Sequence, residues 1–581
     1  MKEYRGIPAS PGVASAPAFV FREDEITVPS YAIAPQAVKA EWARLLEAVE
    51  KAKKEVEEIR DRTLREAGED QAAIFDAHLL MLSDPDILDG LETKLNSSLM
   101  NIERVIVEIE KELVDKLALI EDPLLQARSA DVHDVTRRIL SHLLFRERFD
   151  LGDVESEFVL VAHDLLPSDL IGLNRSKVAA IATEAGGRTS HVAILARAFE
   201  IPAVLGIGAS LREVRAGELV IVDGGAGRIL VEPDSASMAA ARDAQSAAKV
   251  QAAELARIVD LPAQTTDGHR VLLKANIEVP EEADAARGHG ADGIGLFRSE
   301  FLFLQPGHVP GEEEQYKAYK RVVEAMEGKP VTIRTLDIGG DKVLPELGAL
   351  DEKNPLLGWR AIRFCLAKED VFLAQLRAIL RAASLGDVRI MFPMISSPDE
   401  LDRAFALMAQ ARSECRKRGQ AVPDDVRAGI MIEVPAAALA SDIMARKADF
   451  FSIGTNDLIQ YTMAVDRGNE RVGYLYEPFN PAVLRLIKMT IENGRAAGIP
   501  VGMCGEMASD PAAAILLLGL GLEEFSMSSS SLLPVKRLLR SVSMAEAREA
   551  ADTVMSMSSS SEAAAFLQGR VADLIHEPEG S

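Results

Sequence analysis

Apolar residues recur along this chain with two different periods, and the change of period divides it. Val38, Trp42, Leu45, Val49, Ala52, Val56 and Ile59 follow one another at alternating spacings of four and three, the seam of one long amphipathic helix. Ile102, Val105, Ile109 and Leu113 repeat the spacing, and residues 132–144 do so again. Residues 31–144 therefore read as a helical bundle, a hairpin of long helices inserted into another domain. The host domain begins in residues 1–30, where apolar alternation is broken by turn residues (Gly6, Pro8, Pro11, Gly12). It resumes at Phe158-Val159-Leu160-Val161 and closes in a hairpin-like stretch at 219–225. An Ala-rich, polar helix with little apolar face then covers 235–258 and reads as a linker.

Beyond Pro262 the rhythm shortens. Apolar runs fall at 271–277, 293–297, 331–335, 388–394, 428–434, 450–455, 500–504 and 524–527, most of them separated by helical patterns. Strands alternating with helices in this number and over this length match a (β/α)8 barrel. Polar residues stand where the runs end: Arg298, Arg334, Asp337, Glu433, Asn456, Asp457, Cys504 and Glu506. The C-terminal strand ends of such barrels form the active site, so a ring of polar residues there predicts one.

The ring has a definite chemistry. Glu433 and Asp457 end successive strands, and two neighbouring carboxylates with oxygen donors suit Mg²⁺; the alternative is that each caps the helix that follows. Arg298, Arg334 and Arg467 bring permanent positive charge to the same mouth, which suits a small anionic substrate, against the alternative of surface ion pairs. Cys504, flanked by glycine at a strand end, is a candidate acid or nucleophile. Cys365 and Cys415 lie in helical patterns and read as inert.

Composition narrows the classes. Three cysteines, far apart and without CxxC spacing, argue for a reducing cytoplasm and against a disulfide framework or zinc site. No signal sequence and no run of 18 apolar residues is present, so neither secretion nor membrane spanning is expected. With 65 Lys and Arg against 90 Asp and Glu, the net charge of −25 repels nucleic acid and suits a partner with a basic face. Seven acids and no Lys or Arg lie between Glu66 and Asp89, among them Asp70, Asp76 and Asp84, with Phe75, Leu79 and Met81 interspersed. This stretch is either a solvated face or a docking surface.

The most telling stretch outside the barrel is Gly186-Gly187-Arg188-Thr189-Ser190-His191, a glycine turn that places one histidine at the head of a helix. Helix starts offer unpaired N–H groups and a positive dipole end, so an imidazole there can receive a phosphoryl group and have it held.

Taken together, GGRTSH, GIGLFRSEFLF, TLDIGGDK, NPLLGWRAIR, IMFPMI, EVPAAA, FSIGTNDLIQY, AVDRGN and GMCGE resemble enzyme I of the phosphoenolpyruvate:sugar phosphotransferase system, in order and over essentially the whole chain. The resemblance implies a multidomain α/β protein in five segments. A swivelling phosphohistidine domain (1–30 and 145–234) carries an inserted all-α domain (31–144) that binds the phosphocarrier HPr. A linker helix (235–261) leads to a phosphoenolpyruvate-binding TIM barrel (262–581). It further implies that His191 is the phosphoryl acceptor and Cys504 the proton donor. Arg298, Arg334, Asn456, Asp457 and Arg467 become substrate ligands, and Glu433 and Asp457 hold Mg²⁺. Asp70, Asp76 and Asp84 fall in the docking region, and dimerisation goes through the barrel. The expected activity is transfer from phosphoenolpyruvate to HPr at the head of a sugar-uptake relay. An ATP-consuming pyruvate or phosphoenolpyruvate dikinase is the nearest rival, but no GxxxxGK[ST] motif or large nucleotide domain is present. A partner-binding scaffold without catalysis is a second rival, which the intact ring and His191 oppose.

Overall fold

The computed structural model describes all residues except 22–28, 67–74, 76–77, 120–122, 145–156, 166–176, 188–190, 200, 304–308, 339–351, 353, 468, 470 and 577–581. The chain forms two compact units, Met1–Val250 and Gln251–Ser581.

The first unit contains one eight-stranded sheet, ordered β1-β8-β7-β3-β4-β5-β6-β2. Its strands are β1 (Lys2–Arg5), β2 (Ile7–Ser10), β3 (Val13–Phe21), β4 (Phe158–Ala162), β5 (Val178–Thr183), β6 (Ala203–Leu205), β7 (Leu219–Asp223) and β8 (Arg228–Val231). β3 to β6 run parallel, and β1, β2, β7 and β8 join antiparallel, with β7–β8 the hairpin anticipated at 219–225. β4 is buried along its whole length, as its unbroken apolar run requires for a strand covered on both faces.

Between β3 and β4 the described residues include the helices α1 (Val38–Glu66), α2 (Pro85–Ser98), α3 (Ile102–Leu119) and α4 (Pro123–Leu143). The α1 seam is the one read from spacing, since Leu45, Val49, Ala52 and Val56 are all buried. They pack with Ile102 and Val105 of α3 and Ile139 and Leu143 of α4. α2 was not anticipated; its acidic start (Asp84, Asp86, Asp89) masks the buried pair Leu91 and Leu95. Phe75, one of the apolar residues interspersed in the acidic stretch, is fully buried in this helical core and so cannot contact a docking partner, whereas Leu80 is 74 % exposed. Asp84 precedes α2, whereas Asp70 and Asp76 lie outside the described residues. The helix α5 (His191–Ala198) follows β5, and α6 (Ser235–Ala256) follows β8.

In the second unit β9 to β16 close a parallel barrel, ordered β10-β11-β12-β13-β14-β15-β16-β9. They are β9 (Leu272–Ile277), β10 (Ile294–Arg298), β11 (Val331–Arg334), β12 (Val388–Phe392), β13 (Arg427–Ile432), β14 (Phe451–Ile453), β15 (Val501–Met503) and β16 (Glu524–Met527). Each coincides with one of the eight apolar runs. Strand interiors such as Leu273, Ile333, Ile390, Ile430 and Phe525 are fully buried in one continuous core with the surrounding helices. Among the described residues no helix is long and apolar enough to cross a membrane.

Candidate active site

Parallel strands bring their C-terminal ends to one rim, and there the residues singled out in the barrel converge. Arg298, Arg334, Glu433, Asn456, Asp457, Arg467 and Cys504 all line one cavity of about 420 Å³. Arg298 ends β10 and pairs with Glu278 just beyond β9. Arg334 ends β11 and is 8 % exposed; its Nη2 donates to Glu300 Oε1 at 2.9 Å and its Nη1 lies 3.0 Å from Asp337 Oδ2. Its Nε is buried with no hydrogen-bond partner among the described residues. Burial opposes the charge on this guanidinium, but Glu300, Asp337 and Glu433 outweigh it and hold the arginine firmly protonated.

Glu433 follows β13 at 1 % exposure, and its Oε1 accepts the Met394 N–H at 2.6 Å. Burial, then the nearby carboxylates of Asp457 and Asp337, push its carboxyl up to about 8 against the pull of Arg334 and Arg360. Asp457 lies in the first turn of the helix Thr455–Met463, where a carboxylate is favoured by the dipole. Asn456 beside it is locked reciprocally to Glu506: Nδ2 donates to Oε1 at 3.0 Å, and Oδ1 accepts the Glu506 N–H at 3.1 Å. Arg467 hydrogen-bonds Tyr476, whose phenol burial and Glu506 push up to about 12. Cys504, 5 % exposed, directs its Sγ to the Ile453 carbonyl at 3.8 Å, and burial raises its thiol above the usual range. A thiol so placed stays protonated and can act as an acid.

In the first unit, His191 is the first residue of α5, as the glycine turn predicts, and Gly186 at the start of that turn has φ +105°, open to glycine but strained for other residues. The His191 side chain and residues 188–190 lie outside the described residues.

The sequence reading missed Arg360. Its guanidinium binds both Asp337 oxygens at 2.9 and 3.1 Å, Tyr461 Oη at 3.1 Å and Asp457 Oδ2 at 3.4 Å, so it joins the β11 side of the cavity to the Asp457 helix. It precedes a helix rather than ending a strand, which is why a search of strand ends passed over it. The only signal was its place within NPLLGWRAIR.

Three family models match the chain: the PEP-utilising enzyme N-terminal domain over residues 5–128, the mobile domain over 154–227 and the PEP-binding domain over 252–544. Curated relatives named phosphoenolpyruvate-protein phosphotransferase align nearly end to end. That of Priestia megaterium is 45 % identical over 98 % of this chain and 99 % of its own. That of Bacillus subtilis (strain 168) is likewise 45 % identical, over 98 % and 99 %. That of Geobacillus stearothermophilus is 46 % identical over 98 % of each. The chain belongs to the phosphoenolpyruvate-protein phosphotransferase family. Within a phosphoenolpyruvate-protein phosphotransferase, the segment matched as PEP-binding contains the whole cavity lining, and the segment matched as mobile contains His191. Among the described residues, no three His, Cys, Asp or Glu side chains gather as a metal cage.

Proposed function

We propose that this phosphoenolpyruvate-dependent protein phosphotransferase takes the phosphoryl group onto His191, releases pyruvate, and passes the group to the phosphocarrier HPr. One observation carries the reading of the substrate site: Arg298, Arg334 and Arg467, the carboxylates of Glu433 and Asp457 and the buried protonated thiol of Cys504 line one cavity. Arg298, Arg334 and Arg467 hold the carboxylate and phosphate oxygens of phosphoenolpyruvate through charge-assisted hydrogen bonds. Asn456 and Asp457 orient it from the helix start. Arg334 is the best placed of the three, since the Glu300 and Asp337 contacts fix its plane while its Nε keeps an unused donor.

The donor set fits Mg²⁺. Glu433 is pushed up to about 8 by its own burial and by Asp457, a cost that a dication between the two would remove. Two carboxylates leave the remaining positions to substrate oxygens and water, as Mg²⁺ commonly has them. Bound there, Mg²⁺ would draw charge from the phosphoryl oxygens and favour attack on phosphorus. The protein's own part is positioning and charge stabilisation, the main requirements of phosphoryl transfer. A neutral nitrogen of His191 attacks in line, and Cys504 gives its proton to the carbon of the departing enolate, making transfer hard to reverse.

His191 belongs to the mobile-domain segment and the cavity to the other unit, so the phosphohistidine domain (1–30 and 145–234) must bring its histidine to the substrate and carry it away. The acidic segment containing Asp70, Asp76 and Asp84 receives the carrier. Exposed Leu357, Leu439, Ile443 and Tyr474 on the barrel unit support a homodimer through that unit, and three free buried cysteines support a cytoplasmic setting. The reading places the protein at the start of a sugar-uptake relay. The test is incubation with ³²P-phosphoenolpyruvate and Mg²⁺, followed by mapping of the label. Label should appear on His191 without nucleotide and vanish in His191→Ala at an unchanged melting temperature. Label elsewhere, or an absolute need for ATP, would return the site to the dikinase reading.

A further inference from the structure

The thiol at the floor of the cavity is held by residues to which the reading above gives no part. Cys504 directly follows β15, and β16 separates that strand from β9 around the barrel. Asn276 on β9 reaches across this intervening strand. Its Nδ2 donates to the Cys504 carbonyl at 2.9 Å and to the Ser526 carbonyl on β16 at 3.3 Å. The Ser526 hydroxyl donates back to Asn276 Oδ1 at 2.6 Å, so the amide is occupied on both sides and cannot turn over. Ser526 is 3 % exposed and presses against β10 at Gly295, where an added Cβ would lie 2.3 Å from its Oγ. Glycine is required there for the serine to occupy its place. On the opposite side, β14 holds the other end of the cysteine. The Ile453 carbonyl accepts the Cys504 N–H at 3.1 Å and faces Sγ, and Ser452 hydrogen-bonds the thiol. The cysteine is thus gripped by its carbonyl from one flank and by its N–H and sulfur from the other.

We infer that Asn276 and Ser526 are positioning residues for protonation at carbon, an inference that rests on Cys504 being the acid. In that step the phosphorus–oxygen bond has broken with its electron pair left on the enolate oxygen. The enolate oxygen then forms the carbonyl of pyruvate, and the carbon–carbon π pair takes the proton from sulfur. The S–H pair remains on sulfur as thiolate, which regains a proton from water. Delivery from a fixed thiol reaches one face of the enolate; water reaches both. Releasing the Cys504 carbonyl lets the thiol drift, and misplacement of about 1 Å costs on the order of a hundredfold in rate. Substrate contacts made by the arginines remain.

Phosphoenolpyruvate carrying one deuterium at carbon 3, on a known side of the double bond, is reacted in tritiated water by the full-length protein with HPr, and the pyruvate is trapped by reduction as it forms. Chiral-methyl analysis then reports the face of protonation. Wild type should give one configuration, and Cys504→Ser a racemic methyl. Ser526→Ala and Asn276→Ala should lose most of the chirality and slow pyruvate formation roughly ten- to hundredfold. The KM for phosphoenolpyruvate should stay within about twofold. Ser526→Ala removes one hydroxyl only and decides the matter if Asn276→Ala does not fold. If Cys504→Ser keeps wild-type chirality, the acid assignment falls. If Cys504→Ser racemises while either folded variant keeps wild-type chirality and rate, the acid stands and the positioning inference is overturned.

Discussion

Glu433 accepts the Met394 N–H through Oε1 while the carboxylates of Asp457 and Asp337 act on the same buried group, and the two influences make different demands on it. Glutamine can still accept from Met394, so Glu433→Gln removes charge without removing the backbone support. The Mg²⁺ concentration for half-maximal labelling of His191 should then rise at least roughly tenfold, and likewise in Asp457→Asn. A magnesium titration at saturating phosphoenolpyruvate checks this; unchanged midpoints in both variants would overturn the metal-ligand assignment, since the helices that follow take Val434 and Gly454 at their N-caps without side-chain capping. The contrast with Arg360 shows what a sequence discloses at this scale. Glu433 and Asp457 were legible because each follows a strand, a position that a run of apolar residues marks. Arg360 was not, because its importance lies in joining Asp337 to Asp457, and nothing in the one-dimensional order brings those two carboxylates to the same guanidinium.

The barrel strands were the most legible elements. Their short apolar runs carry both faces of a buried parallel strand, so register and burial follow from the same residues. The base of the barrel breaks this rule. Lys274, the third residue of β9, is 1 % exposed and lies 2.5 Å from Glu524 of β16, with Arg389 of β12 reaching the same carboxylate at 3.5 Å. Burial, aided by Arg389, lowers the Lys274 ammonium below its ordinary 10.5 although Glu524 pulls the other way. The unfolded chain keeps that proton up to about 10.5, while the folded chain gives it up sooner. Between the two values unfolding takes up a proton, so this group's contribution to stability rises with pH. Lys274→Met lacks the effect. The melting temperature of wild type relative to Lys274→Met should therefore climb as pH rises through the alkaline range towards 10.5. Scanning calorimetry at stepped pH values measures it, and a flat difference would mean that the lysine stays charged throughout. In the helical domain, α1 was readable because its seam is regular. α2 was not, since its leading acids suggested a solvated segment and hid Leu91 and Leu95.

At the scale of the whole chain, His191 and the arginine-lined cavity fall in separate compact units, so the proposed function predicts separable activities. Residues 1–258 should fold alone, take no label from phosphoenolpyruvate, and still exchange a phosphoryl group with phosphorylated HPr. Reversing charge at Asp70, Asp76 and Asp84 in that fragment should slow exchange mainly through the association rate, with the deficit shrinking at high salt. Stopped-flow exchange at two ionic strengths checks this. Equal low-salt rates with and without the reversal would place the docking face elsewhere.

Helix α6 carries a consequence of its own. Met238 and Ala241 near its start pack on Val13, Ile221 and Leu230, and Glu254 near its end pairs with Arg537 at 3.6 Å, while residues 246–254 between are exposed. Its 22 residues make a rod of roughly 33 Å. Each inserted residue turns one end against the other by about 100°. Two alanines added within 246–250 advance the phase by about 200°, whereas seven bring it back to within about 20° of whole turns. Labelling of His191 from phosphoenolpyruvate should collapse with the first insertion and recover with the second, although the second makes the rod longer. Equal rates at both lengths would mean that the rod unwinds before each transfer, and the swing would then be timed by the melting of a helix.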